Sequence, residues 1–191
     1  MTPPDTLASA APSGIDPRLR QIEILGIFPQ SFARACINLS LLGDVDLAPQ
    51  LESRPDAWSS GADFAELLQR LGERYRDFDP IKERIGEEMM RLWYEFGGGR
   101  SVVSSGIDYL KFQVGSQGYR SVVRGPEAAI GSFDLVNLDV DQGRATVRSS
   151  TPFDKVMERG ILVGGMRLAG DLVFVDVDDS REPGTYHLSF R

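Results

Sequence analysis

The chain has 191 residues, 41% of them apolar and 26% charged, a composition able to bury a real core in one domain. Its 28 acidic residues outnumber 21 basic ones for a net charge of -7, which argues against broad binding to nucleic acid or anionic membranes. Cys36 is the only cysteine and His187 the only histidine, so neither an internal disulfide nor a cysteine/histidine zinc cluster can form.

The opening "MTPPDTLASAAPSG", residues 1–14, is rich in Pro, Ala and Ser and reads as a disordered tail. It has neither a basic n-region nor an apolar h-region, so it is not read as a secretory signal. No apolar run approaches membrane-spanning length, and a soluble, cytoplasmic protein with no membrane insertion is the expectation. "DPRLRQIEIL" reads as a short helix with Asp16 as N-cap and Pro17 at its first position. Pro29 opens a second helix that Gly43 closes, with Cys36 inside it as a buried, inert thiol.

In "GADFAELLQRLGERY", Phe64, Leu67, Leu68, Leu71 and Tyr75 share a helical stripe. "DPIKERIGEEMMRLWYEF" repeats the pattern: Asp79 caps, Pro80 follows, and Ile81, Ile85, Met89, Leu92, Trp93 and Phe96 share a face. The glycines of "FGGGRS" end that helix. "SSGIDYLKFQVGSQGYRSVVRGP" reads as one further helix, stopped by Gly125-Pro126. Trp93, Tyr94, Phe96, Tyr109, Phe112 and Tyr119 concentrate in these two helices, either as ordinary core or as the wall of an apolar cavity.

After Pro126 the period changes to alternation. "SFDLVNLDVDQGRATVRSS" is a hairpin turning at Asp141-Gln142-Gly143, with Val136, Leu138 and Val140 on one face. "PFDKVMERGILVGGMRLAG" returns to a helical rhythm. "DLVFVDVDDSREPGTYHLSFR" is a second hairpin turning near Glu182-Pro183-Gly184, with Tyr186, Leu188 and Phe190 on one face and His187 on the other. The fold class is therefore α+β: a helical layer of four to five helices, then a β-β-α-β-β unit with a small antiparallel sheet. The whole of 15–191 is taken as one domain, with a helical half at 15–125 and a β-β-α-β-β half at 126–191.

Gly164 and Gly165 fall inside a helix, where the amides are already bonded, so they make no phosphate loop. Gly160 and Gly164 are four apart and thin one helix face, which implies close approach of another body, protein first and ligand second. "VGSQG" is not a nucleophile elbow, and "DVDDSREPG" lacks the closing glutamate of a calcium loop. No nucleophile–base set can be assembled, and no enzyme is expected.

The layout resembles the superfamily of heme nitric-oxide/oxygen-binding domains, 4-vinyl-reductase-type sensor domains and related vesicle-tethering subunits. The match is best over "ATVRSSTPFDKVMERGILVGGMRLAGDLVFVDV" and "YHLSF", and in spacing it runs from about residue 29 onward. Heme members place a proximal histidine on the helix before the first hairpin and hold the propionates with a Tyr-x-Ser-x-Arg signature. Both are absent here, as are the cysteine metal ligands of the 4-vinyl-reductase-type sensors. What the resemblance implies is a heme-independent domain, without metal or cofactor, that dimerises and holds an apolar small molecule or a protein partner. The expectation is a non-catalytic sensory domain whose ligand meets Trp93, Tyr109 and Phe112 as wall. Met157 and Met166 are its adaptable contacts, and Arg148 or Arg159 meets its polar end. The alternative is a ligand-free dimerisation or protein-interaction scaffold.

Overall fold

Asp16 caps the first turn as expected, its carboxylate accepting from the Arg18 amide at 2.9 Å. The turn that follows is a short 3-10 helix, Pro17–Gln21, and the chain then extends into β1 (Glu23–Leu25) instead of continuing as a helix. Alternation in "QIEI" decides this: Ile22 and Ile24 are buried while Glu23 points to solvent. The computed structural model describes residues 15–41, 45–75, 78–179 and 182–191, so the expected tail at 1–14 and the helix stop at Gly43 lie outside the described residues. Helix α1 spans Ile27–Asn38 and a single turn, α2, spans Ala48–Leu51. Strand β2 (Trp58–Ser60) then pairs antiparallel with β1, with Leu25 opposite Trp58.

Helix α3 (Gly61–Arg74) starts from Ser60, whose hydroxyl accepts from the Ala62 amide, and buries Phe64, Leu67, Leu68 and Leu71 on one stripe. In α4 (Asp79–Phe96) the cap position falls on Phe78, and Asp79 is the first helical residue, ion-paired with Lys82 at 2.6 Å. Ile85, Met89 and Leu92 are buried as the stripe requires. Phe96, grouped with them by spacing, is 74% exposed because the helix outruns its packing partner. The expected single helix after the glycines is interrupted. Helix α5 (Gly106–Val114) ends at Gly115, a turn α6 (Tyr119–Val122) follows, and the chain enters β3 (Val123–Arg124). Gly118 permits this fold-back, since a Cβ there would lie 2.7 Å from Gln113 Cα. β3 completes a three-stranded sheet in the order β2-β1-β3, a layer the sequence reading did not contain.

A short turn, α7 (Glu127–Ile130), leads into the second half. β4 (Phe133–Asp139) and β5 (Arg144–Ser149) form the first hairpin, helix α8 (Lys155–Arg167) follows, and β6 (Val175–Asp178) and β7 (Thr185–Phe190) form the second. All pairings are antiparallel and the sheet order is β4-β5-β7-β6. This is the expected β-β-α-β-β unit, and Gly143 makes its first turn at φ +61°. Tyr186, Leu188 and Phe190 line the buried face of β7 as expected. Val136 and Val140 do not join the core: a bulge between Leu135 and Asn137 breaks the alternation of β4 and leaves both exposed. The core lies between the buried face of this sheet and the helices, with α8 packed against β6 on one side and α4 on the other.

Candidate functional site

Helix α8 explains its own glycines. It runs alongside α4 in the same direction, with Glu83 facing Gly160 and Glu87 facing Gly164. A Cβ on Gly160 would overlap the Glu83 carbonyl, one on Gly164 would lie 2.7 Å from Glu87 Cα, and one on Gly86 would overlap the Met157 carbonyl. The body that approaches α8 is therefore the backbone of α4. Gly165 serves a second neighbour, because a side chain there would overlap the ring of Tyr109. Tyr109 thus lies flat on α8 and donates its hydroxyl to the Ile161 carbonyl at 3.0 Å.

Where α4, α5 and α8 diverge, a cavity of about 140 Å³ opens. Met89, Met90 and Trp93 border it from α4, Tyr109, Phe112 and Gln113 from α5, and Glu158 and Ile161 from α8. Phe28 of α1, Tyr119 of α6, Phe133 of β4 and Phe153 close the remaining sides. The rings are mutually ordered. Trp93 stacks on Phe112 with centroids 5.1 Å apart, and Tyr119 meets Phe133 edge-on at 5.4 Å. Tyr119 donates to the Ile130 carbonyl at 2.6 Å, so its ring is fixed from outside the cavity. Burial pushes the phenols of Tyr109 and Tyr119 well above the usual tyrosine range, and both stay neutral. The volume is close to that of an apolar protein cavity of about 150 Å³ that holds benzene, and below the roughly 300 Å³ of the smallest drug-sized pockets.

Among the described residues one charged group borders this space. Glu158 is 1% exposed, and its carboxylate accepts from the Thr151 hydroxyl, from the Tyr186 hydroxyl at 2.7 Å and from Lys155 Nζ at 3.1 and 3.2 Å. Lys155 also donates to the Thr151 carbonyl at 2.8 Å and to Ser149 Oγ at 3.2 Å. Burial raises the Glu158 carboxyl above the usual carboxylate range, and the neighbouring Lys155 ammonium opposes the rise. A carboxyl whose pKa rises on folding holds its proton more tightly in the folded state. Its contribution to stability is complete below the unfolded value of 4.5 and drains away as pH climbs through the folded value. The stability of the native chain relative to Glu158→Gln is therefore expected to fall as pH rises from below 4.5. Urea unfolding of both proteins across that range checks it, and a flat difference would mean the carboxyl titrates alike in both states.

Of the residues expected at a ligand, Trp93, Tyr109 and Phe112 border the cavity together. Met157 and Met166 are fully buried in α8 but do not border it. Arg148 is exposed on β5, in register with Asp134 and Thr185. Arg159 turns to the other side of α8, where Nε is 3.1 Å from Glu83 and Nη1 3.7 Å from Asp179. No arginine borders the cavity among the described residues. Sequence reasoning passed over Phe28, Phe133, Phe153, Gln113 and Glu158. Only Glu158 carried a local signal: a carboxylate three residues before Ile161, just ahead of the uncharged stretch 160–166 of the same helix.

His187 is half-buried on β7, with Nδ1 3.4 Å from Thr146 Oγ1, and Cys36 is buried in α1 with its thiol pushed up to about 12 by burial. Neither borders the cavity, and a histidine-ligated heme does not fit the residues that do. Among the described residues no cluster of His, Cys, Asp and Glu is arranged to hold a metal ion, and no helix is long and apolar enough to cross a membrane.

No protein-family profile and no curated protein sequence matches this chain. Solved structures do share its architecture. A point mutant of the Fe(II) unliganded H-NOX protein from K. algicida superposes with a TM-score of 0.61 at 13% identity, over 88% of this chain and 97% of that one. The unmutated K. algicida protein gives 0.57 at 11% identity over the same shares. An H-NOX structure bearing on the mechanism of H-NOX activation gives 0.53 at 10% identity, over 85% of this chain and 94% of that one. At such identities the likeness is one of architecture, and the chain has an H-NOX-like α+β fold.

Proposed function

We propose that this is a non-catalytic sensory or regulatory domain that binds an apolar or aromatic small molecule in the cavity between α4, α5 and α8, without heme. The carrying observation is a ring-walled space, partly open to solvent, bordered by no histidine or cysteine among the described residues. The H-NOX-like fold supports a sensory role. Glu158 fits a binding role, because Thr151, Tyr186 and Lys155 already occupy its oxygens. The bound state passes outward by shifting a dimer or a protein partner, since α8 touches both the cavity and the sheet.

Native mass spectrometry of freshly purified protein is expected to show a small molecule retained by the native chain. It is lost in Val122→Trp, which places an indole into the cavity from its half-buried α6 edge. Added hemin is expected to give no shifted Soret band. A protein that carries no small molecule and takes up hemin stoichiometrically would overturn the reading.

A further inference from the structure

A second cleft, of about 420 Å³, runs along α4 and shares no bordering residue with the ring-walled one. One side of it is a single stripe of α4, from Arg84 through Glu88 and Arg91 to Glu95, spaced three and four apart and so on one helix face. That stretch of helix is about 16 Å long at a rise of about 1.5 Å per residue. Half-buried Leu39 at the end of α1, Leu168 at the end of α8 and Tyr94 supply apolar surface beside it.

The charges of this cleft run against those of the chain. On a protein of net charge -7, four arginines and three glutamates border it among the described residues. Two of the glutamates are already engaged. Arg91 donates to Glu88 at 2.6 and 2.8 Å and also to Glu95, and Asn38 donates to Glu88 at 2.7 Å. The third, Glu87, has Arg167 at 4.0 Å, and Arg84 reaches it only at longer range. Arg84 and Arg100 are exposed, and neither makes an ion pair or a hydrogen bond among the described residues. They stand at opposite ends of the cleft: Arg84 begins the α4 stripe, and Arg100 lies in the turn Gly99–Ser101 beyond the end of α4. The Arg100 guanidinium rests over the Tyr94 ring at 5.4 Å, which holds it in place and leaves its N–H donors free.

We infer that this cleft docks an acidic amphipathic helix of a partner protein, with carboxylates on Arg84 and Arg100 and apolar side chains on Leu39, Tyr94 and Leu168. Charge complementarity carries the choice of sign: the free cations await carboxylates, whereas a basic segment would have to strip Glu88 and Glu95 from Arg91. The α4 stripe is three helical turns long, the scale on which an amphipathic helix lies in a groove. The inference goes beyond the ligand reading and stands without it. Helix α8 borders both clefts, through Ile161 in one and through Gly164 and Arg167 in the other.

Fluorescence anisotropy of the native protein with a labelled helical peptide of about 14 residues, built from Glu, Leu and Ala, tests this against counterparts with Gln or Lys in place of Glu. The Glu peptide is expected to bind at least about 10-fold tighter than either counterpart and to weaken as salt rises. Arg84→Glu and Arg100→Glu are each expected to cost it at least about 10-fold. Arg70→Glu makes the same change of charge on the exposed side of α3, outside the cleft, and is expected to leave binding unchanged. The peptide ranking on the native protein decides the matter even if a variant does not fold. Equal binding of the Gln or Lys peptide, no binding of the Glu peptide, or an equal loss in Arg70→Glu would overturn the inference. A dimer of this chain that dissociates in Arg84→Glu and Arg100→Glu, with no binding of the Glu peptide, would give the cleft to a second copy and overturn it too.

Discussion

Gly160→Ala is expected to destabilise the protein by about 2–3 kcal/mol, while Gly72→Ala stabilises it by up to about 1 kcal/mol. Both glycines are helical, so propensity alone favours alanine at each. They differ in what lies outside the helix. The nearest atom to a Cβ at Gly72 is Phe78 Cδ1 at 4.0 Å, whereas at Gly160 it is the carbonyl of Glu83, a backbone group that cannot rotate away. An added methyl must push α4 and α8 apart along the whole seam, and that strain outweighs the propensity gain. Urea unfolding midpoints at constant m-value report the two signs directly. Two shifts of the same direction would mean that α4 and α8 are not in backbone contact.

The second large effect is expected from Lys155→Met. Removing one partner of a buried pair strands the other, typically at a cost of about 3–5 kcal/mol. The Lys155 side chain is 32% exposed while Glu158 is almost sealed, which places the loss near the low end, at about 3 kcal/mol. The hydroxyls of Thr151 and Tyr186 still donate to the carboxylate, but they bring no charge. Adding Glu158→Gln to Lys155→Met is expected to recover part of the loss, since an amide in place of the stranded carboxylate ends the charge imbalance. A double-mutant cycle of thermal or urea unfolding measures this coupling, and strict additivity would show that the two residues do not stabilise each other.

The second half of the fold was legible because its signals are local. Alternation in β7, the turns at Asp141–Gly143 and Glu182–Gly184, and the glycine spacing of α8 each fit within a window shorter than twenty residues. The sheet β2-β1-β3 was not legible, because strands of two and three residues contain too few positions to show a period. At the N-terminus the Asp16-Pro17 start signal was genuine, but a single 3-10 turn satisfies it as well as a longer helix does. Of the site, the rings of α4 and α5 could be read because neighbouring helices bring them together. Phe28, Phe133 and Phe153 come from three separate parts of the chain and meet through tertiary packing, which no spacing rule encodes. Gln113 reads as a surface residue in isolation, and the fold-back at Gly115 and Gly118 is what covers it.

The glycine seam has a mechanical meaning for the cavity. Two helices that touch main chain to main chain have no pliant side chains between them to absorb a displacement, so α4 and α8 move as one stiff beam. The walls they supply, Trp93 and Ile161 among them, therefore form the anvil of the site. Any widening or closing falls to the jointed side, where α5 breaks at Gly115 and the chain doubles back through Tyr119.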